Sequence, residues 1–515
     1  MRIGARAAFL ALAFLALLAV PAVARRGSVR PPRGAATVIV VTPHPEEIRI
    51  EFARAFAAWH RARFGEDAAV VWSTPGGAGD IRRLLEAGAL AALRQGQPIG
   101  GGADILFGGG SYEYEQLKRP LSVEVDGVRR SGTVLEPLAL DPVLLAECFG
   151  DGMLAGRPLR DPEGYWFGTA LSSFGLVFNA ELLAERGVAV PGGWDALADP
   201  RLRGLVAMAN PAQSASIASA MDTVLQREGW ERGWAILRRA AGNARSISAS
   251  APRAPIDVGQ GDAALAMCID FYGRAQEQAV SDGGSPGRIA YVDPVGRTTV
   301  DPDPVALLRG APHPEHARRF VEFVLSAEGQ RLWQFVPGTE GGPRRHALRR
   351  LPVRRDLLAR EGDRFMDRVD PAALVGDAAA QNADVRAFVA PMFVAVALEN
   401  RDLLREAWAL VASHPEYPRD GRVLLSSEAR SPELRAMLAA FDAPPRVPAP
   451  GGRTIDLRGP EDLRAVRDGW LRGGWKDAGL WDPADAPADA LRRVLSRDAE
   501  ARLREVIAVT NGGRA

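Results

Sequence analysis

Short polar segments sit where this chain could do chemistry. Ser73, Thr74, Gly76 and Gly77 bring hydroxyls and unhindered backbone N–H groups together ahead of a helix-forming run, an arrangement suited to an anion or a carboxylate. Gly109, Gly110 and Ser111 repeat that arrangement. Ser172 and Ser173 lie inside an aromatic stretch, and Asn210, Ser214 and Ser216 form a further polar segment. Each of these residue types also serves ordinary caps and turns, so no one of them is diagnostic. Their recurrence at strand ends favours a ligand cleft. Two signatures of catalysis are missing: there is no G-x-x-x-x-G-K-[ST] loop and no H-E-x-x-H helix. The six histidines are scattered, with His313 and His316 expected to be solvated. Asp301 and Asp303 could form an acid–base pair, but beside Pro302 and Pro304 they read as turn formers.

The elements that must position these residues can be read from periodicity. Thr37 to Thr42 is a continuous apolar β-branched run, the pattern of a strand buried on both faces. A helix is predicted over 46–63, a strand over 69–73, a helix over 78–94 and a strand over 103–107. That alternation is the order of a parallel α/β sheet, in which ligands sit beyond the carboxyl ends of the strands. Residues 164–179, aromatic with glycines at 164, 168 and 175, read as a pair of strands crossing into a second unit. A strand over 204–209, helices to about 226 and over 230–240, and a strand over 261–269 ending in Asp270-Phe271-Tyr272 follow. A buried strand over 304–308 then leads to a helix with Pro314 at its opening position. In that helix Ala317, Phe320, Val321, Val324 and Leu325 share one face, and Ser326 can cap the next one. Beyond about residue 345 the chain is mostly helical, with a compositional linker over 443–452 and with Trp470, Trp475 and Trp481 expected as packing anchors.

Arg2 and Arg6, the apolar run 7–20 and Ala22-Val23-Ala24 form the three parts of a cleavable export signal. Residues 1–24 are therefore expected to be a signal peptide, 25–36 a disordered leader, and the mature protein extracytoplasmic. The formal charge of +1 and the even scatter of Arg among Asp and Glu argue against a nucleic-acid surface. Only two cysteines occur, Cys148 and Cys268. Export would permit a disulfide between them, and two separately buried thiols is the simpler expectation.

The wording of residues 310–330, Gly-Ala-Pro-His-Pro-Glu followed by Ala-x-x-Phe-Val-x-Phe-x-Leu-Ser-x-Glu-Gly-Gln, resembles solute-binding proteins of ABC importers, in the group that includes ferric-iron binders. The resemblance implies an α/β fold of the type II periplasmic binding class, with two lobes and a hinged cleft over 37–345. Lobe 1 would take about 37–170 and 288–345, lobe 2 about 171–287, and 346–515 would be a helical C-terminal extension. It implies a monomeric, non-enzymatic receptor that captures a small solute and docks on a membrane permease. The ferric-iron group uses a histidine after the first strand, matched here by His44, and a glutamate after the third, where this chain has Gly109 or Gly110. Its paired tyrosines fall on Phe271-Tyr272, with Asp270 alongside. His44, Asp270 and Tyr272 are thus the donors on offer for ferric iron with an anion completing the shell. The glycine-rich strand ends suit a phosphorylated or phosphonate solute at least as well. A secreted hydrolase, or a sensor acting through the C-terminal extension, are the other classes compatible with the sequence.

Overall fold

The β-branched run after the leader becomes β1 (Ala36–Val41), paired in parallel with β2 (Ala68–Ser73) and β3 (Ile105–Phe107). These coordinates come from a computed structural model that describes residues 35–376, 382–482 and 484–512, so the expected signal peptide and nearly all of the leader lie outside the described residues. Helix α1 (Glu46–Phe64) links β1 to β2, α2 (Ala78–Gln95) links β2 to β3, and α3 (Ser111–Leu117) follows β3. α1 opens on Glu46 and Glu47, where the helix dipole favours acids, and ends at Gly65 with a φ of 74° that glycine adopts freely. Its Ile48, Phe52 and Phe56 enter the lobe 1 core.

Residues 167–179 form one strand, β4 (Phe167–Asn179), buried along its whole length, and not the expected pair. Its glycines mark close approach of neighbouring backbone instead of a break. A Cβ on Gly175 would lie 2.3 Å from the Val292 carbonyl oxygen, and one on Gly168 2.6 Å from that of Leu159. Lobe 2 follows, built from β5 (Val206–Ala209), α4 (Ala215–Glu228), α5 (Trp230–Gly242), β6 (Ala244–Ser248), β7 (Leu265–Ile269) and α6 (Asp270–Asp282). The chain returns through β8 (Val300–Leu308) to α7 (Pro314–Leu325), whose buried face carries the five residues expected from periodicity. Ser326 Oγ accepts from the Gly329 N–H at 3.1 Å and caps the next helix as predicted.

The main sheet runs β6-β5-β7-β4-β8-β3-β1-β2, so β4 and β8 stand at its middle and belong to both lobes. Asp301 and Asp303 are not turn residues. Both lie inside β8, buried, and the ladder to β4 shifts register between Asp303 and Pro304. Leu351–Pro352 adds a short strand to β4, so the lobes take in chain beyond residue 345.

The C-terminal region does not hang from a linker. α8 (Ala383–Phe393), α9 (Arg401–Ser413), α10 (Pro432–Phe441) and α11 (Pro487–Gly512) share one hydrophobic core with lobe 2, joining Phe388, Trp408, Leu438 and Leu495 to Met221, Ile236 and Met267. Residues expected as a linker form a hairpin, β9 (Arg446–Ala449) with β10 (Arg453–Asp456), turned at Gly451 and Gly452 with φ of 74° and 68°. Trp470 is buried and stacks on Trp481 at 4.5 Å between ring centroids, as packing anchors do. Cys148 and Cys268 are separately buried free thiols.

Candidate functional site

A cavity of about 460 Å³ opens between the strand ends of the two lobes. Lobe 1 lines it with His44, Gly76, Gly77, Gly109 and Gly110, and lobe 2 with Ser214, Ser216, Phe271 and Tyr272. The shared strands add Ser172, Asp301 and Asp303, with Arg350 beside them. The walls touch at one edge: a Cβ on Gly77 would lie 2.6 Å from the Gln213 carbonyl oxygen, so only glycine fits there.

Arg350 organises the polar side of this cavity. Its Nη1 lies 2.7 Å from Asp303 Oδ2, and its Nη2 donates to Ser172 Oγ at 2.7 Å. The guanidinium also stands 4.8 Å from the centroid of the Phe271 ring, a cation–π contact reaching into lobe 2. His44 Nε2 meets the same Asp303 oxygen at 2.7 Å, and the Gly109 N–H donates to Asp303 Oδ1 at 2.6 Å. Burial lowers the His44 pKa more than Asp303 raises it, so the ring is neutral at pH 7 and gives its Nε2–H to the carboxylate. Burial pushes Asp303 up, but Arg350 and His44 outweigh it and hold the carboxyl below its usual range. His44 Nδ1 is left as an acceptor without a partner among the described residues, and Arg350 Nε as a donor without one. Both residues line the cavity.

The structure divides the sequence-derived site residues into two groups. His44, Gly76, Gly77, Gly109, Gly110, Ser172, Ser214, Ser216 and Tyr272 line the cavity. Ser73 and Thr74 are exposed and off its wall. Ser111 is turned to Asp301, its Oγ donating to Oδ1 at 2.6 Å. Ser173, one residue along β4 from Ser172, points to the opposite face of the strand and donates to Asp293 Oδ1 at 2.6 Å. Asn210 accepts from the Ala212 N–H in a local turn. Asp270 is fully buried, with Oδ1 accepting from the Phe271 N–H at 2.8 Å and Oδ2 facing Arg274 at 3.5 Å.

The three donors offered for ferric iron therefore do not share one face. Asp270 is engaged away from the cavity, and His44 has one ring nitrogen committed to Asp303. Burial pushes the Tyr272 phenol up to about 12, so a ferric ion binding there would have to displace a more tightly held proton than usual. Among the described residues no group of three or more His, Cys, Asp or Glu is placed to hold a metal ion.

Sequence reasoning misses Arg350 and assigns the two aspartates to a turn. Arg350 belongs to an arginine-rich run just past the end of the resemblance, and nothing local separates it from Arg349. Asp301 and Asp303 carried a usable signal, since their spacing of two places both carboxylates on one face of a strand.

Residues 151–337 match the family model for bacterial extracellular solute-binding proteins. The phosphoglycerate transport regulatory protein PgtC of Salmonella typhimurium is 30% identical over 163 residues, 32% of this chain and 39% of that protein, so the match spans well under half of the relative's length. Among solved structures, the periplasmic binding protein P5PA superposes with a TM-score of 0.51 at 19% identity, covering 73% of this chain and 99% of that one. AfuA from Actinobacillus pleuropneumoniae, solved with fructose-6-phosphate, gives a TM-score of 0.49 at 16% identity over 70% of this chain and 98% of its own. The fold is that of a type II periplasmic binding protein with a helical C-terminal region, and residues 151–337 within it resemble the bacterial extracellular solute-binding proteins.

Proposed function

We propose that this protein is the solute-binding component of an ABC importer and that its cargo is a small phosphorylated organic solute. The observation that carries the reading is the buried Arg350, set between the lobes in a cavity that also meets the N-termini of α2 and α4. Helix N-termini and a guanidinium are the groups that hold a phosphate monoester, by dipole, N–H donors and charge. Asp303 takes up Arg350 Nη1, so what Arg350 offers a phosphate is N–H donation, from the Nε that has no partner among the described residues. The Phe271 and Tyr272 rings offer an apolar surface for a carbon skeleton, and His44 Nδ1 an acceptor for a hydroxyl. The name of the Salmonella relative, which refers to phosphoglycerate transport, points to the same ligand class. Delivery to a membrane permease from outside the cytoplasm completes the reading. No helix among the described residues is long and apolar enough to cross a membrane.

The test is calorimetric titration of the full chain with 3-phosphoglycerate, fructose 6-phosphate, glycerate and ferric citrate. A phosphate ester should bind with a Kd of about 1 μM or tighter, roughly −8 kcal/mol, and glycerate should bind far more weakly. Saturable binding of ferric citrate or glycerate alone would overturn the assignment. A second reading, a sensor of the same solute, draws on the fusion of the extension into lobe 2 and on the word "regulatory" in the relative's name. Deletion in the host separates the two. Loss of uptake with permease transcript unchanged supports transport, and loss of the permease transcript supports sensing.

A further inference from the structure

Beside the cavity lies a second charged cluster, which meets the cavity wall at Asp301. Glu113 of α3 in lobe 1, Asp222 of α4 in lobe 2 and Asp301 of the shared β8 are all buried. Closing the lobes takes these carboxylates out of water, a cost that needs a cation nearby. Arg157 stands 3.9 Å from Asp301. Arg82 of α2 acts on Glu113 from within lobe 1. A further cation comes from the C-terminal region. It is Arg386 of α8, 6% exposed, in the C-terminal extension. Its Nη2 lies 3.5 Å from Glu113 Oε1 and 3.5 Å from the Ala215 carbonyl oxygen, and its guanidinium is 4.6 Å from the centroid of the Tyr112 ring. Arg386 thus touches the first residue of α4 on one side and the first turn of α3 on the other. α3 and α4 are the helices that follow Gly110 and Ser214 on the two walls of the cavity.

α8 is anchored on the lobe 2 side. Asn382 Oδ1 accepts from the Asp384 N–H at 2.9 Å, Asp384 is bound by Arg464 and Arg467, and Phe388, Val389 and Met392 are buried in the core shared with α4. An element fixed to one lobe therefore presents a buried cation to the other. We propose that the C-terminal extension holds the cleft closed through Arg386, a positioning residue that ties α3 of lobe 1 to the lobe 2 helix α4. This rests on the two-lobe capture reading but not on the identity of the solute.

Lobe separation can be read without solute by electron paramagnetic resonance distance measurement. Spin labels are placed on the full chain through Ala58→Cys on α1 and Ala184→Cys in lobe 2, both exposed positions, while the two native cysteines are buried. The parent protein should show a dominant short distance. Arg386→Gln should reduce that population at least twofold in favour of a longer one, and Arg386→Lys should restore part of it. Should Arg386→Gln lose its circular dichroism spectrum, Glu113→Gln removes the contact from the lobe 1 side and is read in the same way. An unchanged distance distribution in either folded variant overturns the proposal. Because no solute is present, this outcome is independent of whether phosphate esters are the cargo.

Discussion

Arg350 serves three partners at once: a carboxylate, a hydroxyl and an aromatic ring drawn from different elements. Arg350→Met should therefore weaken phosphate-ester binding by at least tenfold and also lower stability. Removing one partner of a buried pair leaves Asp303 uncompensated, a loss of about 3–5 kcal/mol that urea denaturation would measure. Arg350→Lys keeps the charge but cannot reach Asp303 and Ser172 through one planar fork, so it should recover only part of the affinity. Asp270 makes a separate prediction about pH. Burial raises its carboxyl from 3.8 to about 6, despite Arg274 opposing the shift. The folded protein therefore holds this proton more tightly than the unfolded chain does, and the group costs stability progressively as pH rises from about 4 to 6. Asp270→Asn removes that cost while leaving Arg274 with Asp293 at 2.8 Å. Its gain in Tm over the parent should be absent near pH 4 and approach a plateau above pH 6, worth on the order of 2 kcal/mol. Tm values that track the parent across this range would refute the assignment of the buried charge. Half of this chemistry could be read from residue types. Serine and glycine at strand ends mark a cleft, but whether Ser172 or Ser173 faces it depends on strand parity, which the aromatic run does not fix.

At the scale of elements, α7 was the most legible, because a proline start, a one-sided apolar stripe and a serine cap all agree. β4 was the least legible, since the same glycines that let neighbouring backbones approach resemble chain breaks in a sequence. The hairpin of β9 and β10 is hidden in the sequence for a related reason. Pro450-Gly451-Gly452 is a turn, and turn and linker share a composition. The seam between α5 and α9 gives a sharp packing prediction. A Cβ on Gly242 would sit 2.7 Å from Trp408 Cδ1, and Trp408 Nε1 donates to Asn243 Oδ1 at 2.6 Å. Gly242→Ala should cost about 1–3 kcal/mol by overpacking, and Trp408→Ala about 3–5 kcal/mol through the cavity it leaves. Both should lower the unfolding of lobe 2 and the extension as one transition in scanning calorimetry, because the two share a core.

For the whole molecule, that shared core means the extension is a structural part of lobe 2. A chain ending at residue 376 should expose Met221, Ile236 and their neighbours, bind a hydrophobic dye strongly and aggregate. A soluble, dye-free truncation with a sharp melt would contradict this. The two-lobe plan was visible in the order of strands and helices together with the wording around α7. The merger of the extension with lobe 2 was not, since an amphipathic helix announces that it packs but not against what. The prolines of β8 have a mechanical consequence. Pro302 and Pro304 stand opposite Leu171 and Gly168, on the two strands at the middle of the main sheet, where its halves meet. Neither proline has an N–H to donate, and the register slips between them. The sheet thus carries a perforated line across its middle, like a fold scored into card. Compliance is built into the sheet itself, and a flexible tether is not needed for the halves to swing.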